Sequence, residues 1–236
     1  MSNKYFSIAI DGPGGAGKSS LAKEIAKKFG FIYVDTGAIY RTVGLYCYRN
    51  GIDRKNESEV SAAFPNINIK IAYDESGSQR MFLNGEDVSD AIRMPEISIC
   101  ASDVSSLPAC REFLLEMQRK LAETANVIMD GRDIGTVVLP NADLKIYLTA
   151  SAETRAKRRL LELEQKGVET SFEDVLKDIE YRDYQDTHRD IAPLKKADDA
   201  VLVDSSTTDF EETFQILCEL IIKNLSTEIT GEEEGI

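Results

Sequence analysis

Residues 5–29 read YFSIAIDGPGGAGKSSLAKEIAKKF. The apolar run 5–10 predicts a strand, and 18–29 places Leu21, Ile25 and Phe29 on one helical stripe that stops at Gly30, a good terminator. Between them, Gly12-Pro13-Gly14-Gly15-Ala16-Gly17-Lys18-Ser19 fits the phosphate-loop pattern G-x-x-x-x-G-K-[ST] at every fixed position. Glycines without Cβ let backbone N–H groups turn inward around phosphate oxygens. The helix N-terminus adds unsatisfied donors and a positive dipole end. The triphosphate-binding (ATP) set is therefore Gly12, Pro13, Gly14, Gly15, Ala16, Gly17, Lys18, Ser19 and Ser20, with Lys18 expected at the β- and γ-phosphates and the Ser19 hydroxyl on Mg²⁺. A bare strand-to-helix turn needs no Lys-Ser pair. A dinucleotide reading of Gly12, Gly14 and Gly17, with Asp35 as its acid, leaves that pair equally unexplained.

Outward from this unit, short continuous apolar runs at 31–35, 127–130, 144–149 and 200–204 suit strands of a parallel sheet covered on both faces. Helical patterns at 107–123 and 209–223 offer Leu114, Met117, Leu121 and Phe214, Leu217, Ile221 as core faces. Alternating strands and helices predict a doubly wound α/β core. Two stretches break the rhythm. Ile67, Ile69, Ile71 and Tyr73 alternate with polar residues, and an Asn84-Gly85 turn signal follows, which predicts a small antiparallel insertion over 67–89. Residues 151–189 are charge-dense and helical, with a break near Gly167.

The chain has 236 residues, with 28 Lys plus Arg against 41 Asp plus Glu, giving a net charge of −13. That surface argues against nucleic-acid or anionic-membrane partners, which demand surplus cations. Any phosphate site must be a local basic island. The apolar runs are far short of a membrane span, and no signal-peptide pattern opens the chain. Cys47, Cys100, Cys110 and Cys218 form no C-x-x-C pair and read as free thiols of a cytoplasmic protein. Three consecutive glutamates and little to bury predict disorder over 228–236.

Arg155, Arg158 and Arg159, at i, i+3 and i+4, are expected on one helix face, suited to a polyphosphate; the bland alternative is a solvated face pairing with Glu162 and Glu164. Phe172, Val175, Ile179, Arg182, Asp186 and Arg189 form a 3,4,3,4,3 stripe, apolar and then ionic, as expected of a helix leaving a core and entering a site, or of one whose twist or fraying returns its second half to solvent. Asp130, ending an apolar strand, is a candidate for Mg²⁺-coordinated water or a turn aspartate.

With these segments in place, the chain resembles the bacterial cytidylate kinases. The resemblance rests on Gly12–Ser19, Asp35-Thr36-Gly37-Ala38-Ile39-Tyr40-Arg41, Asp130-Gly131-Arg132-Asp133-Ile134-Gly135-Thr136-Val137-Val138 and Ala192-Pro193-Leu194, and covers about 7–225. It implies a P-loop nucleoside monophosphate kinase fold: a five-stranded parallel sheet with helices on both faces. One kinase domain over 1–236 would comprise a core (1–40, 95–150, 192–225), a nucleotide-binding region with a β-rich insertion (41–94), a helical lid (151–191) and an acidic tail (226–236) expected to be disordered. It implies Lys18, Arg132, Arg155, Arg158 and Arg159 as catalytic cations, Ser19 and Asp130 at Mg²⁺, and ATP with CMP or dCMP as substrates. The CMP site would take Thr36, Tyr40, Arg41, Ser102, Arg111, Arg132, Asp133, Arg182, Asp186 and Arg189. By the same analogy Arg182, Asp186 and Ser102 lie nearer ribose, Arg111 and Asp133 nearer cytosine, and Arg41, Arg132 and Arg189 nearer phosphate. Thr36 stands where members often carry Ser, and a hydroxyl is kept. His188 matches no functional position, and a monomer is the default.

Other readings stay open on the residues alone. Another P-loop nucleotide or small-metabolite kinase, with UMP or AMP as acceptor, shares the loop. A GTPase-type switch would require an N-K-x-D segment; Asn3-Lys4 precedes the first strand and fails that pattern. An ATP-dependent nucleic-acid protein conflicts with the charge.

Overall fold

The computed structural model describes residues 5–165 and 167–231, with side chains as far as 226. Its centre is a five-stranded, all-parallel sheet formed by β1 (Ser7–Asp11), β2 (Ile32–Asp35), β6 (Val127–Gly131), β7 (Leu144–Thr149) and β8 (Val201–Asp204), in spatial order β2-β6-β1-β7-β8. The α/β expectation is met. Alternate residues of a strand face opposite sides, so β1 sends Ile8 and Ile10 into one core and Ala9 into the other. Ile8, Ile10 and Ile128 are wholly buried, and each contributes about 1.5–3 kcal/mol on the usual area scale. β8 differs from its central partners: at the sheet's edge, Val201, Leu202 and Asp204 are exposed and only Val203 is buried.

One core lies under α1 (Lys18–Phe29) and α8 (Phe210–Gly231), with Leu21, Ile25, Leu217 and Ile221. The other lies under α2 (Thr36–Arg49), α4 (Pro95–Ser105) and α5 (Pro108–Ala122), with Val43, Ile97 and Leu114. α3 (Glu57–Ala63) starts on an Asn56 cap. Strands β3 (Ile69–Tyr73), β4 (Gln79–Leu83) and β5 (Glu86–Asp87) make a separate antiparallel sheet, paired Ile69 with Leu83 and Tyr73 with Gln79. Gln79 ties this sheet to the core: its side-chain carbonyl accepts the Asp35 N–H at 2.8 Å and its amide donates to the Asp35 carbonyl at 3.3 Å. Helices α6 (Ala152–Gln165) and α7 (Phe172–His188) pack through Ala156, Val175 and Ile179, a third small core.

One expectation is corrected here. The tail is not disordered from its start, because α8 continues to Gly231. Leu225 packs against the sheet core, and once a turn is anchored further helical residues add at little cost until a glycine intervenes. Residues 232–236 of that expectation lie outside the described residues. Among the described residues no helix is long and apolar enough to cross a membrane, and all four cysteines are buried free thiols.

Helices α2 and α4 touch backbone to backbone at Gly44. A Cβ there would sit 2.9 Å from the Cys100 Cβ and 3.0 Å from the Ala101 nitrogen. Gly44→Ala gains about 1 kcal/mol of helix propensity, yet it should lower stability by about 1–3 kcal/mol through overpacking. A reduced urea midpoint at unchanged slope would show this; an unchanged or raised midpoint would mean the helices part freely.

Candidate active site

The phosphate loop sits at the carboxyl end of β1, where open parallel sheets bind ligands. Gly12 adopts φ 150°, and a Cβ on it would lie 1.9 Å from the Leu148 carbonyl oxygen, so only glycine fits. Lys18 curls over the loop, donating to the Gly12 and Pro13 carbonyls at 2.8 Å each. Burial, then the neighbouring Arg132, pulls its ammonium down to about 7, against opposing pulls from Asp130 and Asp11. Ser19 and Ser20 are exposed at the start of α1. The Ser19 hydroxyl donates to Asp130 Oδ2 at 2.8 Å, while the Tyr33 hydroxyl donates to Oδ1 at 2.7 Å. Burial, then nearby Asp35, raises the Asp130 carboxyl. Tyr33 was not foreseen; its place on β2 beside β6 gave only a strand signal.

The second half of the site follows β6. Residues Ile134–Val138 form a wide π-type helical turn, with the Leu139 N–H reaching the Ile134 carbonyl at 2.7 Å. Arg132 and Asp133 lead into it. Arg132 Nε donates to Asp186 Oδ2 at 2.6 Å, and its Nη2 is 3.4 Å from where a Gly14 Cβ would stand. Arg132 therefore stands beside the loop that Lys18 curls over. Asp133, 4% exposed, lies between Arg111, which donates to its Oδ2, and Arg189, at 3.5 Å from its Oδ1. Arg111 in turn lies 5.6 Å above the Tyr40 ring. Burial, then the Arg111 charge, lowers the Arg189 guanidinium. Arg189 also donates to the Ala192 carbonyl at 2.7 Å, where Ala192 holds a left-handed φ of 47°. Thr36 directs its hydroxyl to the Asp130 carbonyl at 2.8 Å. Arg41 pairs with Asp35 at 2.7 Å, and its buried Nε has no partner.

The helical pair corrects the arginine cluster. Arg155 clamps the loop, donating to the Gly14 carbonyl at 3.0 Å, the Ala150 carbonyl at 2.8 Å and both oxygens of Asp183 at 3.0 and 2.5 Å. Arg158 instead serves Ser205 and Thr208 in the segment after β8, and Arg159 pairs with Glu162 at 2.9 Å. The three do not converge, because each guanidinium takes the nearest bare carbonyl or carboxylate. The α7 stripe also forks at Ile179: the buried-side successor is Asp183 at i+4, while Arg182 at i+3 is exposed. Asp183 was missed, although the 3-or-4 spacing allowed it. Ser102, on α4, is exposed and is not joined to the others. His188 is exposed and stacks on Tyr184 at 4.1 Å.

Comparison with known proteins fits this geometry. The family model described as "Cytidylate kinase" matches residues 8–224. A cytidylate kinase of Caldicellulosiruptor bescii is 48% identical over 226 residues, covering 96% of this chain and 100% of that protein. One from Lactobacillus johnsonii is 46% identical over 221 residues, covering 94% and 96%. Among solved structures, an uncharacterized protein from Eubacterium ventriosum shares the fold, with TM-score 0.50 at 13% identity over 93% of this chain and 99% of the other.

Lys18 makes a checkable contribution to stability. Its folded pKa, about 7, lies below the ordinary 10.5, so the cost of burying its charge is full below about 7 and fades as pH rises from about 7 towards 10.5. The stability of Lys18→Met minus that of the native chain should therefore shrink across that window, measured by denaturant titration at successive pH values. A pH-independent difference would place the ammonium in solvent.

Proposed function

The chain belongs to the cytidylate kinase family, and from that premise we propose that this cleft transfers the γ-phosphoryl of MgATP to CMP or dCMP, giving ADP and CDP or dCDP. It is a nucleoside monophosphate kinase, a phosphotransferase whose acceptor is itself a phosphate. The observation that carries the site assignment is the approach of Arg132 to Gly14 beside Lys18, which joins a triphosphate loop to a second cationic cradle.

Phosphoryl transfer is positioning and charge stabilisation more than covalent chemistry. Lys18 and Arg132 flank the transferring group, and Arg155 reaches it from the helical pair, which acts as the lid. Arg158 and Arg159 join only by releasing Ser205 and Thr208, and Glu162. The acceptor phosphate is already anionic near neutral pH, so no strong base is required. Ser19 and Asp130 fit Mg²⁺: both offer hard oxygen donors, and a buried carboxylate raised by its surroundings gains from a cation. Bound there with ATP, the ion would neutralise charge on the β- and γ-phosphoryl oxygens.

For the acceptor, Arg41 and Arg189 with Arg132 supply phosphate contacts. Thr36 and Tyr40 line the floor, with Asp186 assigned to the ribose. Ser102 and Arg182 reach the nucleotide only if their helices close over it. Asp133 and Arg111 read the base. Cytosine presents a 4-amino donor to Asp133, whereas uracil would set an oxygen acceptor against the buried carboxylate. One chain supplies both halves of the cleft, so we take the monomer as the working unit.

A coupled ADP assay with CMP, dCMP, UMP and AMP tests the reading; comparable turnover on all four would overturn it. Within it, Asp133→Ala should lower kcat/KM for CMP on the order of 10- to 100-fold more than for UMP. Equal losses would remove Asp133 from base recognition.

A further inference from the structure

Asp11 is a buried carboxylate for which the transfer reaction has no direct use. It ends β1, one residue before the phosphate loop, and is 4% exposed. Its Oδ1 accepts the Ile134 N–H and its Oδ2 the Gly135 N–H, each at 2.7 Å, across more than a hundred residues of chain. Burial lifts its carboxyl to about 6, against the opposing effect of these two amides; Lys18, Arg132, Asp133 and Tyr147 are the charged or titratable groups around it. Gly135 is closed in from the other side, since a Cβ there would meet Lys145 Cδ at 3.1 Å and Asp11 Oδ2 at 3.4 Å. Lys145 is itself anchored to the Pro140 carbonyl at 2.6 Å and to Asp199 at 2.7 Å.

We propose that Asp11 is a positioning residue for acceptor recognition: by holding two successive amides at the start of the π-type turn, it fixes the direction in which Arg132 and Asp133 leave β6. A carboxylate is required because both oxygens must accept. Asparagine has the same shape but one acceptor, and its amide would face an N–H. Strand pairing, not this clamp, places the phosphate loop, so cutting the clamp touches triphosphate binding only through the lost pull of the Asp11 charge on Lys18. The proposal rests on the roles given above to Arg132 and Asp133.

The test compares Asp11→Asn with Asp133→Ala. Asp11→Asn should raise KM for CMP on the order of 10- to 100-fold and collapse the CMP-to-UMP ratio of kcat/KM, while the ATP affinity measured by calorimetry changes far less than that. The Ile134 and Gly135 amides should exchange slowly with deuterium in the native protein and quickly in Asp11→Asn. If Asp133→Ala loses the CMP-to-UMP ratio and Asp11→Asn keeps it, the positioning role is overturned and the base reading stands. If Asp133→Ala itself keeps the ratio, the base reading fails and the specificity role of Asp11 falls with it, whatever the exchange data show. Should Asp11→Asn not fold, Asp11→Glu and the native protein decide. Fast native exchange at those two amides overturns the clamp; slow exchange with a raised KM for CMP in Asp11→Glu upholds it.

Discussion

The arrangement depends on one backbone pairing. β1 and β6 run parallel in register, Ile10 beside Asp130 and Asp11 beside Gly131. Because both strands end at the same edge, the loop at 12–19 and the turn at 132–138 emerge side by side. The pairing brings Lys18 and Ser19 beside Asp130 and Arg132, although the two segments lie more than a hundred residues apart. The hydrophobic effect enforces the pairing, for β1 is buried along its length and β6 from Val127 to Asp130. The chemistry is thus placed by the least chemical residues in the chain.

The cations so gathered are held by carboxylates. Arg132 rests on Asp186, Arg155 on Asp183, Arg111 and Arg189 on Asp133, and Arg41 on Asp35. A cluster of unpaired guanidinium groups would repel itself and lose hydration, and each pairing offsets part of that cost while fixing a side chain's direction. The excess of acid in the composition therefore has a local counterpart. It supplies the counter-charges that let a basic island form inside an anionic molecule.

Much of this was legible in the chain because it is local. The glycine loop, its flanking strand and helix, the period-two hairpin and the break near Gly167 are all encoded within a dozen residues. Helix α2 was harder to see: Ile39, Val43 and Cys47 are buried, but so are Thr42 and Gly44, so no polar face marks its period. The pattern at 107–123 caught α5 but gave no hint of α4, which ends only a few residues before Pro108. At the site, the P-loop residues follow from their own segment, and Arg132 and Asp133 from the resemblance that the 130–138 block carries. Tyr33, Asp183, Gln79 and Asp11 do not, because each acts through a partner dozens of residues away and carries no motif. The arginine triplet misled for the same reason: shared helical phase does not say which neighbour each side chain will take.

The open flank of the sheet has a consequence for the molecule in crowded solution. Val201 and Leu202 stand exposed on β8 with one side of the strand unpaired, a template onto which another chain could add. Asp198 and Asp204 bracket that short segment with exposed carboxylates, while Asp199 is paired with Lys145. A strand added at this edge would run against those two carboxylates, and charge at a short edge strand is one of the devices that oppose such stacking.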